Sequence, residues 1–174
     1  MEIKILGEGE KEYYGNDILN LLVESDNEFV PPLSKRGTPK DKSFSLDRDT
    51  SDGILSYYKS MCREQILAAI SDGKVIGFVS FWENFEDGET PNIYVSTLVV
   101  AQKQRGKGLA LKMYGNLFDV LYSDRAVYTR TWSTNAAHTG ILSRLGFSEF
   151  KRIKDHRGIG IDTVYYERKS AKNS

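Results

Sequence analysis

The chain has 174 residues, 40% of them apolar, which is enough for one domain with a real core and short for two. Lys+Arg and Asp+Glu balance at 24 each, a formal net charge of zero. That balance excludes a strongly basic nucleic-acid binder, and the composition excludes a disordered or collagen-like chain. The single cysteine, Cys62, can form neither an internal disulfide nor a cysteine-based zinc site. The N-terminus lacks the apolar run of a signal peptide and no stretch approaches a membrane span, so a soluble, cytoplasmic domain with no membrane partner is expected.

In chain order, Glu2–Leu6 alternates apolar and polar residues and predicts an opening strand. Asn16–Glu24, with Ile18, Leu19, Leu21, Leu22 and Val23, predicts a short helix. Ser25–Asp52 is polar and proline-containing, and its centre, SKRGTPKDK, carries Lys35, Arg36, Lys40 and Lys42 against Asp41. A solvated loop and a lid over a site are both open for it. Ser51 and Asp52 suit the cap of a helix over Gly53–Met61. Glu64–Ser71 and Lys74–Trp82 form a predicted hairpin about Asp72-Gly73. An acidic loop with Glu83, Glu86, Asp87 and Glu89 follows, then a strand over Ile93–Val100.

A helix opens at Gly106 and Gly108 and runs to about Tyr122, with Lys112, Asn116, Asp119 and Ser123 as its polar stripe. Ala126–Ser133 reads as a strand and Ala136–Leu145 as a helix, and Phe147–Lys154 and Ile161–Arg168 read as a closing strand pair about the turn DHRGIG. The tail 170–174 is expected to fray. Residues 1–169 make one α/β domain, a mixed and mostly antiparallel sheet flanked by helices.

The most informative stretch is STLVVAQKQRGKGLALKMYG, residues 96–115: a strand, a basic glycine turn and a helix start. Free N–H groups at a helix N-terminus and the positive end of its dipole suit an anion. Gly106 and Gly108 let the main chain approach a phosphate, while Lys103, Arg105 and Lys107 add charge. A dinucleotide-binding GxGxxG would need glycine where Leu111 stands, and no P-loop string is present.

Arg105-x-x-Gly108-x-Ala110, preceded by Leu98-x-Val100, resembles the coenzyme A-binding signature of the GNAT superfamily of N-acetyltransferases. Asn135, opening a helix that ends in Leu145-Gly146-Phe147, is similar to a second motif of that family. The resemblance implies the GNAT fold, acetyl-CoA as co-substrate and transfer of acetyl to a primary amine by direct attack. It implies that the main chain of Leu98, Val99 and Val100 holds the pantetheine arm. The amides of Arg105, Gly106, Lys107, Gly108, Leu109 and Ala110 would cradle the pyrophosphate, and Asn135 would touch the coenzyme further along. Leu142 stands where the family often has a tyrosine as acid for the thiolate. Tyr94, Tyr128 and Ser143 are the candidates to replace it, and unassisted departure is the other option.

The predicted strand Ile93–Val100 carries no carboxylate, so Glu83 is the candidate base, with a solvated loop carboxylate as its plain alternative. His138 shares a helix face with Ile141, Leu142 and Leu145 and is expected to pack, His156 to lie exposed in its turn, and Trp82 and Trp132 to serve packing, with the lining of an acceptor pocket as their alternative. Two histidines and one cysteine supply no metal site of those ligands. Phe29–Leu33, the 34–52 stretch, Tyr57, Tyr58 and the last two strands are the expected acceptor contacts, for a small-molecule or peptide amine. Asp162 suits a turn or a pocket equally. The competing class is a catalytically silent coenzyme A-binding sensor or scaffold; nucleic-acid binding through residues 34–42 is weak for want of aromatic interleaving. The oligomeric state stays open, with a homodimer the common form in proteins of this type.

Overall fold

The computed structural model describes residues 1–36, 38–39, 53–85, 92–121 and 125–169. Strand β1 (Glu2–Ile5) leads into helices α1 (Glu8–Tyr13) and α2 (Gly15–Ser25), and α3 spans Gly53–Met61. Strands β2 (Gln65–Ser71), β3 (Lys74–Phe85) and β4 (Asn92–Val100) follow as a meander. Helix α4 (Leu109–Val120), β5 (Val127–Trp132), α5 (Ala136–Arg144), β6 (Ser148–Ile153) and β7 (Thr163–Arg168) complete the order. The seven strands form one sheet in the order β1-β2-β3-β4-β5-β7-β6, antiparallel throughout except for β4 beside β5. No helix among the described residues is long and apolar enough to cross a membrane.

The elements follow the expected order, with one helix more than the sequence predicts. Helix α1 has the sequence EGEKEY, with no apolar stripe to announce it. The Glu10 carboxylate accepts the Gly7 N–H at 3.0 Å and pairs with Lys4 at 2.9 Å, and Lys11 pairs with Glu8 at 2.8 Å. Charge and capping therefore hold a turn that periodicity misses. The predicted acidic loop at 86–91, Tyr122 and Ser123, most of the 34–52 stretch and the tail 170–174 lie outside the described residues.

Two apolar clusters sandwich the sheet. On one face Met113, Tyr114 and Leu117 of α4 and Leu142 of α5 pack on Leu67, Val79, Phe81, Ile93 and Val95. On the other, α2, Leu33 and Tyr57 of α3 pack on Ile66, Ala68, Phe78 and Val99. Strand β2 feeds both faces and is buried along nearly its whole length, as an internal strand must be.

The register between β3 and β4 slips between Phe81↔Val95 and Ser80↔Thr97, leaving Ser96 as an extra residue. Such a bulge inverts the side-chain alternation beyond it. Before it, Ile93 and Val95 face α4; after it, Leu98 and Val100 do, while Thr97 and Val99 turn to the α2/α3 face. The same strand pairs with β5 only over Ile93–Val95 against Val127–Thr129. Thr129 Oγ1 donates to the Val95 carbonyl at 2.9 Å and marks where the two strands part.

Candidate active site

Beyond Val95, β4 and β5 diverge, and a cavity of about 460 Å³ fills the gap. One wall is the open edge of β4 over Ser96–Val100, and the other is Thr129–Trp132 of β5. Its floor on the α4 face is the turn containing Gly106 and Gly108, with Leu109 and Ala110 of the helix start.

Gly106 and Gly108 sit at φ +73° and +76°, a left-handed conformation that glycine takes without the penalty of a Cβ. An added Cβ at either would meet no protein atom within 4 Å. Helix α4 has no side-chain cap, and its ladder begins with Lys112 N–H to Gly108 O at 3.1 Å. The N–H groups of Leu109, Ala110 and Leu111 thus precede the ladder, and all three residues line the cavity. Arg105 braces the turn, donating from Nε to the Val100 carbonyl at 3.0 Å and pairing with Glu28 at 2.9 Å. Lys107 does not line the cavity; its Nζ bonds Gln104 Oε1 at 3.2 Å. These residues set the free N–H groups of a helix start beside the edge of β4 that β5 leaves open.

A family model described as the acetyltransferase (GNAT) family matches residues 33–147, about two-thirds of the chain. The chain belongs to the GNAT acetyltransferase family. This GNAT chain is similar to N-alpha-acetyltransferase 30 of Schizosaccharomyces pombe, 26% identical over 123 residues, 70% of this chain and 82% of that protein. Its fold is similar to that of an aminoglycoside 6'-N-acetyltransferase complexed with coenzyme A, with a TM-score of 0.69, 13% identity, and 97% and 96% of the two chains covered. It is likewise similar to the ribosomal-protein-alanine N-acetyltransferase of Brucella melitensis, with a TM-score of 0.65, 16% identity, and 97% and 99% covered. The protein is therefore an acyltransferase with a mixed α/β GNAT fold.

Within this GNAT site the sequence-derived residues divide. Leu98, Val99, Val100, Arg105, Gly106, Gly108, Leu109 and Ala110 all line the cavity. Asn135 lines it too, yet its side chain caps α5: Oδ1 accepts the His138 N–H and Nδ2 donates to Thr131 Oγ1, each at 3.1 Å. Glu83 is not among the lining residues; near the end of β3, it pairs with Arg125 at 3.2 Å. Tyr94 and Tyr128, register partners across β4 and β5, are not among them either. Tyr94 is buried, and that burial raises its pKa; Tyr128 packs edge-on against Phe150. Ser143 is exposed on α5, and Leu142 is fully buried in the α4-side core.

His138 does reach the cavity wall, partly buried, its Nε2 at 3.1 Å from the Tyr114 hydroxyl. Burial pushes its pKa down to about 4, so the imidazole is neutral at neutral pH. Tyr58 is not a lining residue and Tyr57 is fully buried behind Thr97, whereas Phe29 and Trp132 form an aromatic wall with centroids 5.6 Å apart. Asp162 is a turn residue: it accepts the Asp155 N–H and pairs with Arg152, both at 3.0 Å. His156, expected exposed, is part-buried with Nδ1 3.0 Å from Thr163 Oγ1.

Two features escape the sequence reading. Ser96, the bulge residue, lines the cavity and donates to Oε2 of Glu64, which is 1% exposed just ahead of β2. Ser80 Oγ lies 2.8 Å from Ser96 Oγ, and Tyr57 OH the same distance from Thr97 Oγ1. A hydroxyl at the wall is thus wired to a buried carboxylate. The second feature is a group of arginines, Arg36, Arg130 and Arg157, at the end of the cavity remote from α4. No run of adjacent residues could have announced either.

Proposed function

We propose that this enzyme moves an acetyl group from acetyl-CoA to a primary amine by direct attack within a ternary complex. The observation that carries the reading is the edge of β4 over Ser96–Val100, which β5 does not pair, standing beside the uncapped start of α4. A pantetheine arm carries amides spaced along an extended chain, and it can complete the ladder that β5 abandons at Val95. The pyrophosphate then meets the amides of Arg105–Ala110, where the left-handed glycines leave space and the helix dipole is positive. Family membership sets the silent-module reading aside, and the named relatives, which act on N-terminal and aminoglycoside amines, support an amine as acceptor.

In this reading an amide near Leu98 or Val99 polarises the acetyl carbonyl and stabilises its developing charge. The amine loses its proton to Ser96 Oγ as Ser96 passes its own to Glu64, which starts as the carboxylate and ends protonated. Glu83, paired with Arg125, gives up the role of base to Glu64. The departing thiolate leaves unassisted, as suits a weakly basic leaving group with thiol pKa about 8.5, since no tyrosine is among the described lining residues.

Titration calorimetry with acetyl-CoA tests the cradle on wild type, Gly108→Gln and Gly108→Glu. Both variants share one length and the same backbone cost, so their difference is one charge. A carboxylate about 6 Å from the pyrophosphate costs about 1–3 kcal/mol per facing charge, about 5- to 150-fold in affinity. Equal affinity of the two variants, or no binding by folded wild type, would sink the assignment.

A further inference from the structure

His138 of α5 reaches the cavity wall and has no part in the proton path through Ser96 and Glu64. Its place along the cavity follows from α4. Leu109 opens that helix beside the glycine turn, and Tyr114 lies about 7.5 Å further along the axis. Tyr114 hydrogen-bonds the side chain of Thr129, whose own hydroxyl marks where β4 and β5 part. The Tyr114 hydroxyl also meets His138 Nε2 at 3.1 Å, with the two rings 22° from parallel. His138 therefore stands at the narrow end of the gap between β4 and β5, and the glycine turn stands at the wide end.

Donors and acceptors along this chain of side chains fix where the imidazole proton sits. The Thr129 hydroxyl donates to the Val95 carbonyl at 2.9 Å, which uses its one proton. The proton between Tyr114 and Thr129 is then the phenol's, and burial holds it there by raising the Tyr114 pKa. The Tyr114 oxygen meets His138 as an acceptor, so Nε2 carries the N–H. Burial keeps the ring neutral at neutral pH, and a neutral imidazole has one N–H. Nδ1 is therefore a bare lone pair. It has no partner among the described residues and is not sealed from solvent, and His138 lines the cavity. Asn135, the α5 residue expected to touch the coenzyme, is engaged elsewhere: Oδ1 accepts the His138 main-chain N–H and Nδ2 donates to Thr131. The acceptor that α5 offers the cavity thus lies one turn further along the helix.

We propose that His138 Nδ1 accepts the amide N–H of the pantetheine arm nearest the thioester, and so sets how deep the thioester sits between β4 and β5. The inference rests on the acetyl-CoA reading above. In pantetheine that amide is joined to the sulfur through a short ethylene link. An arm entering from the glycine turn therefore brings the amide and the thioester to the narrow end together. The edge of β4 can serve the arm from one side, and His138 serves it from the side of α5 and β5. A weakly basic nitrogen suits the task, because an imidazolium would turn an N–H toward the amide N–H and repel it. Tyr114 is a positioning residue here: by accepting from Nε2 it holds the ring in the tautomer that leaves Nδ1 bare.

NMR of the full chain labelled at its histidine nitrogens tests the inference. The chain has two histidines, so two rings are seen, and His138→Gln tells them apart. In free wild type Nε2 of His138 is expected to carry the proton and Nδ1 to be bare; a proton on Nδ1 overturns the proposal. Acetyl-CoA at saturation should shift Nδ1 upfield as it becomes an acceptor. Adenosine 3',5'-bisphosphate, the nucleotide end without the arm, should leave it in place. An Nδ1 unmoved by bound acetyl-CoA, or moved equally by the bisphosphate, overturns the proposal. Calorimetry reads the same contact through variants. His138→Leu and His138→Gln, whose amide reaches toward Tyr114, are expected to weaken acetyl-CoA binding about five- to tenfold. His138→Asn, whose amide oxygen can stand where Nδ1 does, should recover most of the loss, and bisphosphate affinity should hold within twofold throughout. Equal acetyl-CoA affinity of the Leu and Asn variants overturns the contact. Failure of wild type to bind acetyl-CoA at all removes the underlying acetyltransferase site instead, and this inference with it.

Discussion

Gly77 lies in β3 opposite Val100, beneath the start of α4. A methyl group there would stand 3.0 Å from the Val99 carbonyl oxygen, 3.3 Å from Met113 Cε and 3.4 Å from Leu109 Cδ2. The methionine can swing away, but the carbonyl belongs to β4 and can retreat only if the strand does. Overpacking of this sort costs about 1–3 kcal/mol, and replacing glycine in a strand returns about 0.5–1 kcal/mol. Gly77→Ala should therefore lose about 1–2 kcal/mol, a Tm fall of about 2–8 °C for a chain of this size. Gly115→Ala is the control: on α4 itself, with nothing within 4 Å of the added carbon, it should gain up to about 1 kcal/mol. Thermal unfolding followed by circular dichroism reads both. Acetyl-CoA affinity should fall in Gly77→Ala, because the methyl pushes β4 and Leu109 from opposite walls of the site, and hold in Gly115→Ala. An unchanged Tm for Gly77→Ala, or a fall for Gly115→Ala, would refute the packing argument.

Glu64→Gln and Ser96→Ala should each lower kcat by about 10²–10⁴ with little change in acetyl-CoA affinity, and a kcat within twofold of wild type would remove Glu64 from the proton path. The His138 pKa is about 4 in the fold against about 6.5 unfolded. Below 6.5 the unfolded chain takes a proton the fold refuses, so stability drains as pH falls from 6.5 to 4, by about 2–3 kcal/mol. His138→Gln should flatten that part of the urea-midpoint profile, and parallel profiles would contradict the assignment. Tyr57→Phe deletes a buried 2.8 Å bond to Thr97 and should cost about 1–2 kcal/mol; a neutral result in chemical denaturation would mean that Thr97 finds another partner.

The glycine turn ahead of α4 was legible because it is made of main chain, and main-chain geometry is written in adjacent residues: two glycines, a basic turn and a helix start between 105 and 110. The sheet was legible for the same reason: β1 announced itself by alternation, and β2 and β3 as apolar runs about Asp72-Gly73. The proposed proton path was not. Glu64 precedes a strand, where a carboxylate ordinarily meets water, and only the pairing of β2, β3 and β4 brings it behind Ser96. The bulge at Ser96 is equally silent, since Ser96-Thr97-Leu98-Val99-Val100 reads as one unbroken strand. Arg36, Arg130 and Arg157 come from a loop, a strand and a turn far apart in the chain, and no local pattern marks them as neighbours. Glu83, near the end of β3, pairs with Arg125, a contact that no local pattern announces.

Because β4 grips β5 only from Ile93 to Val95, the protein consists of two half-sheets stitched at a short seam. One carries β1 to β4, the other β5 to β7. A ligand hydrogen-bonded along the open edge of β4 adds stitches that the polypeptide itself omits, and whatever binds the folded but not the unfolded chain stabilises the fold by about 2.7 kcal/mol at a hundred times its dissociation constant. Amide hydrogen exchange in β5 and β7 should then slow as acetyl-CoA is added, while β2, locked between β1 and β3, keeps its protection throughout. The cell's supply of thioester would set how firmly the two halves are sewn together as well as how fast the enzyme turns over.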